Sequence, residues 1–370
     1  MIDLLIKNGK LINGTVVDIA IENGKIVDVK ESITEEASDV LELNKKQYVS
    51  AGWIDDHVHC YEKMDLYYDY PDEIGVKAGV TSIIDAGTTG AENIYDFYET
   101  AKEARTNVYA MLNISKWGIV EQDELADLEK IQEKLAKKAV EDLSDFIVGI
   151  KARMSKTVIG DNGITPLKLA KKIQEENKHI PLMVHIGSAP PELDETLSYL
   201  SKGDIVTHCF NGKSNGILDQ GINKIKPFAR DAYEKGIIFD VGHGTASFNF
   251  HVAEVALKEG IKASSISTDI YYTNRTEGPV YDFATTMEKM HVIGYSWEEI
   301  IEKVTAAPAA NFRLENKGQL KKGYDADLTI FTIEEKEKDL VDSDGNHRQT
   351  KEKIQPLKAI VGGNIYEVDL

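Results

Sequence analysis

The first fifty residues alternate apolar and polar side chains in short runs, as in Val16–Ile21 and Lys25–Val29, with Asn-Gly pairs at 8–9, 13–14 and 23–24 between runs. A period of two predicts half-buried strands, and Asn-Gly favours the tight turns of hairpins. The tail has the same texture. Ala326–Thr332 and Leu357–Val361 read as strands, the second followed by Gly362-Gly-Asn-Ile365. Two β-rich ends around a different middle predict a small β-sandwich domain formed by residues 1–50 and 318–370. Within it, the highly charged Glu334–Lys353 predicts an exposed excursion.

The middle, residues 51–317, alternates short apolar runs with amphipathic stretches. The first predicted strand, Tyr48–Asp56, runs straight into His57. After it come Val80–Asp85, Asn107–Asn113, Phe146–Lys151, Pro181–His185, Asp204–His208, Gly236–Val241 and Ala263–Asp269. Apolar residues recur at three- and four-residue spacing in Glu124–Leu143 and Pro166–Glu176, which predicts helices there. Eight strands alternating with helices predict an α/β fold, a (β/α)8 TIM-like barrel of about 250 residues.

Charge narrows the partners. A formal net charge of −19 argues against nucleic acid and anionic membrane surfaces, leaving a small-molecule substrate. No apolar run approaches the roughly 20 residues of a membrane span, and the N-terminus lacks the basic start and long apolar core of a secretory signal. Cys60 and Cys209 are too few for a disulfide framework, so a cytoplasmic location is expected. Each follows a histidine and reads as a small apolar residue at a strand end. A homo-oligomer is the expected assembly.

Barrel active sites sit at the C-terminal ends of the strands. The strand ends here carry His57 and His59, Lys151, His185, His208 and Asp269. In His57-Val58-His59 the two imidazoles share one face, and neutral imidazole is a good ligand for zinc and similar ions. Four histidines and one carboxylate suit two divalent ions but lack a bridging anion. Lys151 has two readings. It is either an ordinary lysine, snorkelling or paired, or a buried neutral amine that takes up carbon dioxide to become a bridging carbamate, an N6-carboxylysine. His179, His251, His291 and His347 fall in helical or charged segments and read as filler or surface.

The order H-x-H, Lys, His, His, Asp on successive strands resembles the amidohydrolase superfamily of binuclear metal hydrolases. The flanks Ser50–His59, Ala307–Asn311, Gly318–Gly323 and Asp325–Leu328 are similar to that family's passages between sandwich and barrel. The resemblance implies that His57, His59 and Asp269 hold one ion, that His185 and His208 hold the other, and that carbamylated Lys151 bridges them. It also implies a hydroxide nucleophile, with Asp269 as the catalytic proton acceptor. Zinc is the expected metal. Arg153, Asn113, His243 and Tyr272 lie near the strand ends and are expected to bind substrate.

The lysine resembles the dihydroorotase, hydantoinase and isoaspartyl dipeptidase branch, and more closely a deacetylase-type subgroup. That implies hydrolysis of an amide or ester of a small acylated acid, such as an acetylated α-hydroxy or α-amino acid. Cyclic amides and β-aspartyl dipeptides are the alternative substrates. A catalytically silent barrel scaffold is the non-enzyme alternative.

Overall fold

The computed structural model describes residues 1–369. Strands β1–β5 (Ile2–Lys10, Val16–Glu22, Lys25–Lys30, Ala37–Glu42, Tyr48–Ala51) come from the head of the chain. Six more, β6–β11, follow at Trp53–Val58, Val80–Asp85, Asn107–Asn113, Ile147–Met154, Leu182–Ile186 and Ile205–Thr207. The small β12 (Leu218–Asp219), β13 (Lys224–Ile225) and β14 (Ile238–Phe239) precede the tail strands β15 (Leu328–Val341), β16 (His347–Val361) and β17 (Asn364–Glu367). No helix among the described residues is long and apolar enough to cross a membrane.

Head and tail strands form one eight-stranded sheet, in the order β17-β16-β15-β5-β1-β2-β3 with β4 beside β1. Alternation along β1 sorts its side chains. Leu4 and Ile6 pack with Val17, Ile19, Val49 and Leu328, while Leu5 joins Ala20 and Ile33 on the other face. At Gly52 the chain leaves this sheet for the barrel. A Cβ there would lie 2.0 Å from Thr81 Oγ1, so no larger residue fits between β5 and β6. Trp53, fully buried, then packs against Phe331 at 5.4 Å and Phe283 at 6.3 Å, across the seam between sheet and barrel.

The barrel sheet is parallel, in the order β14-β11-β10-β9-β8-β7-β6. Thr165–Glu176 covers it with Leu167, Ala170 and Ile173, three residues apart on one helix face. The expected eighth strand, Ala263–Asp269, closes the ring only through isolated bridges, Asp240 with Ser265 and Val58 with Ile270. Its own side chains break the ladder. Ser265 and Ser267 donate to Asp240, Thr268 donates to Asp55, and Asp269 takes a left-handed backbone with φ 52°.

Two other expectations change. The helix expected over 124–143 begins at Glu133, because Glu124 is drawn into the barrel to pair with Arg153. The charged stretch 334–353 is no loose excursion but the two arms of the β15–β16 hairpin, whose exposed faces lack apolar residues. The hairpin turn lands on the loop after β14. There Ser343 Oγ donates to the carbonyl of Gly244 at 2.9 Å, and Ser343 N donates to Phe248 O at 3.0 Å. Buried Asp342 accepts from Phe250 N at 2.9 Å and from its own turn at Asn346 N, 2.8 Å. Arg348 forks onto Glu254 at 2.7 and 2.9 Å.

Replacing Asp342 by Ala leaves the buried N–H of Phe250 without its acceptor and loosens the turn, and is expected to lower stability by about 1.5–3 kcal/mol. Arg348→Ala, at a third-exposed pair, is expected to cost about 1 kcal/mol or less. Urea unfolding midpoints of the two variants test this, and equal shifts would contradict the assigned anchor.

Candidate metal centre

His57 lies in β6 and His59 just beyond it, and the pleat aims both rings at one point, with centroids 5.7 Å apart. Asp269 meets them from the eighth position. Its Oδ1 lies 3.3 Å from His57 Nε2 and 3.1 Å from His59 Nε2. Three candidate ligand atoms from these residues fall within 4.8 Å of one another.

The outer nitrogens explain why the inner ones are available. His57 Nδ1 is 2.9 Å from Thr207 Oγ1, which donates its own proton to Asp240 at 2.7 Å. His59 Nδ1 is 2.7 Å from Thr88 Oγ1, which donates to Asp85 at 2.7 Å. A hydroxyl that has given its proton to a carboxylate can only accept from the ring. Both rings are therefore Nδ1–H tautomers with Nε2 lone pairs facing inward. His208 Nδ1 lies 2.6 Å from the carbonyl of Gly242, which also only accepts, so His208 Nε2 faces inward too. Burial lowers the pKa of His59, and it holds His208 down at about 3, so both stay neutral.

His185, at the end of β10, brings Nδ1 to 2.8 Å from His208 Nε2. Lys151, in β9, is 1% exposed, with Nζ 3.1 Å from both His57 Nε2 and Met183 Sδ. Burial pulls its pKa down to about 7. Its stem needs Gly87, where φ is +82° and a Cβ would sit 2.6 Å from Lys151 Cβ. Strain gathers here as well, since His208 and Asp269 both hold left-handed backbone at φ 68° and 52°. Four imidazoles, a carboxylate and an amine with no carboxylate partner thus face one another at contact distance. That donor set fits divalent cations, and His57, His59 and Asp269 are a divalent-metal-binding cluster.

All but one of these six side chains, His208 being the exception, line the floor of a cavity of about 310 Å³. Of the residues expected to bind substrate, only Arg153 lines it, and its guanidinium donates to Glu124 at 3.1 and 3.3 Å. Glu124 is wholly buried, and burial pushes its pKa up to about 7 against the pull of Arg153. Asn113 is turned inward, giving Nδ2 to Gly87 O and accepting from Ser115 N. His243 is buried behind the wall, with Nε2 2.8 Å from Lys289 Nζ. Tyr272 stacks outside on Tyr68 at 5.5 Å, while its neighbour Tyr271 lines the cavity and bonds Thr245 Oγ1 at 2.6 Å.

Sequence reasoning passed over Tyr67, Lys213, Ser247 and Tyr271 in the wall. Lys213 had a usable signal, a lone cation in the loop directly after a ligand strand. Cys60 and Cys209 are buried, and the Cys209 thiol donates to Val206 O at 2.9 Å, so they behave as small core residues.

A deacetylase-like composite domain family matches residues 320–367. A protein of Enterococcus faecalis named deacetylase is 67% identical over 99% of each chain. A solved structure described as an adenine deaminase is 67% identical, with TM-score 0.99 over 99% of this chain and 100% of that one. Another, described as a dihydroorotase, is 34% identical with TM-score 0.91 over the full length of both. The chain belongs to the amidohydrolase superfamily of hydrolases, in its deacetylase-type branch.

Proposed function

We propose that this chain is a binuclear metal-dependent deacetylase, cleaving the acyl C–O or C–N bond of a small acylated acid by addition of water. The observation that carries this is the gathering of His57, His59, Lys151, His185 and Asp269 on the floor of one cavity, with His208 pressed against His185. His57, His59 and Asp269 would hold one ion, and His185 and His208 the other. Zinc suits this ligand mix. Lys151 would join them as a carbamate, formed when its amine adds to carbon dioxide and releases a proton. Its burial without a carboxylate partner supports that role. The bound ions would lower the pKa of a water molecule and polarise the acyl carbonyl.

The chain's own groups do the rest. Threonine-backed histidines keep their Nε2 atoms aimed and unprotonated. The Asp269 carboxylate takes the proton of the attacking water and hands it to the leaving oxygen or nitrogen. Walls of serine, threonine and tyrosine leave space for a small, polar substrate such as an acetylated α-hydroxy or α-amino acid. The reducing cytoplasm suits two buried free thiols.

Asp269→Asn is expected to keep most of the bound metal while turnover on an acetylated hydroxy acid falls about 10²–10⁴-fold. Steady-state rates beside elemental analysis check it, and near-normal turnover would refute the assignment. Lys151→Ala is expected to bind fewer divalent ions than the parent and to lose activity. Carbon-13 NMR after exposure to labelled bicarbonate should show a carbamate signal in the parent alone. Adenine belongs in the same assays, because one close structural relative is described as an adenine deaminase.

A further inference from the structure

We propose that Lys213 is the specificity-determining residue of the cavity, the cation that receives the substrate's carboxylate. The inference deepens the deacetylase reading and rests on it for the identity of the substrate. Besides the floor lysine Lys151, two cationic side chains line the cavity, Arg153 and Lys213. Arg153 is the obvious clamp by residue type, yet it is engaged. Its guanidinium donates to both oxygens of Glu124, a carboxylate with no exposed surface, and lies 5.8 Å from the Tyr67 ring. Moving it onto a substrate would strand a buried carboxylate.

Lys213 differs in each respect. Among the described residues its ammonium has no ion pair and no hydrogen bond, although the side chain is half-buried against the cavity. Burial lowers its pKa, and the acids that oppose this, Asp344 and Asp269, do not pair with it. Asp344 is itself occupied, with Oδ2 accepting from Asn249 Nδ2 at 2.7 Å. A desolvated ammonium without a counter-ion is an unfavourable arrangement that a bound carboxylate relieves.

The loop also fixes where that charge stands. Asn211 Nδ2 donates to the carbonyl of His208 at 2.8 Å, while Asn211 Oδ1 accepts from Lys213 N at 3.0 Å. The backbone of Lys213 is thus tied, through one asparagine, to that of a metal-site histidine. Gly212 lies against the hairpin turn, where a Cβ would meet Asp344 Oδ2 at 2.2 Å. In an α-acyloxy or α-acylamino acid, one carbon separates the carboxylate from the atom bearing the acyl group. A cation held in register with the floor suits that short spacing. Ser188 and Ser247 supply further donors in the same wall.

The test compares O-acetyl lactate with its neutral carboxamide in the parent, Lys213→Met and Lys213→Arg, all with metal content measured. Lys213→Met is expected to raise KM for the acid about 10- to 100-fold, with a smaller change in kcat, and to erase the preference for acid over carboxamide. Lys213→Arg should restore much of that preference. An unchanged acid-to-carboxamide ratio in Lys213→Met overturns the proposal. Calorimetric binding of lactate to the parent and to Lys213→Met provides a second readout that needs no turnover. If the parent hydrolyses neither ester, the substrate reading fails on its own. Equal lactate affinity in the two proteins would then still refute the role of Lys213.

Discussion

The polar groups gathered at one end of the barrel are mostly buried and contact chiefly one another. That constraint organises the site. His57, His59, His185, His208, Lys151 and Asp269 are supplied by the ends of four strands and by the eighth segment, and four of the six are buried. In a largely buried site an unmatched lone pair or charge is costly, so a positive charge among these atoms is stabilising. Protons satisfy part of the need, as in the 2.8 Å contact between His185 and His208. Divalent cations suit more of it, since the inward nitrogens of His57, His59 and His208 are left unprotonated by what lies behind them.

What lies behind is equally determined by burial. Thr207 and Thr88 carry the orienting interaction from Asp240 and Asp85 to the two histidines of β6. The hydroxyl fixes the tautomer of each ring, and behind His57 the Asp240 carboxylate also stands 3.7 Å from Nδ1. Asp240 serves twice, because it also accepts from Ser265 and Ser267 and so binds the irregular eighth segment that carries Asp269. Closing the barrel and aiming the ligands are one set of hydrogen bonds.

This explains which parts were legible along the chain. Strand ends are local features, and a polar residue closing an apolar run is visible without knowing what it faces. All six candidate ligands are residues of this kind. The walls were not legible in this way. Arg153 could be a carboxylate clamp or the partner of an acid, and its actual partner Glu124 lies 29 residues earlier in an apparent helix, so only the barrel decides between them. His243, between two glycines after the seventh strand, was placed to line the mouth, yet Lys289 and the hairpin turn hold it from behind. Tyr271 and Tyr272 differ by one residue, and a short helix at Tyr272–Thr276 decides which of them faces inward. The charged hairpin was misread for a related reason: strand alternation signals a sheet with one buried face, and most of these arms have none.

Floor and wall therefore answer different questions. The floor is built from strand ends tied by short hydrogen bonds inside a parallel sheet, where displacement of one ligand disturbs its neighbours. It suits hydrolysis at a polarised acyl or related carbon, the kind of reaction to which the chain's family belongs. The wall is built from loops held by side chains from elsewhere, including a turn that belongs to the terminal sheet. Loops can change residues without unsettling the barrel. Relatives described as a deacetylase, an adenine deaminase and a dihydroorotase match this chain over almost their whole lengths, so overall likeness does not separate their substrates. The separating term is the charge the wall offers. A neutral purine gains nothing from an unpaired ammonium, whereas a carboxylate brings the counter-ion that Lys213 lacks.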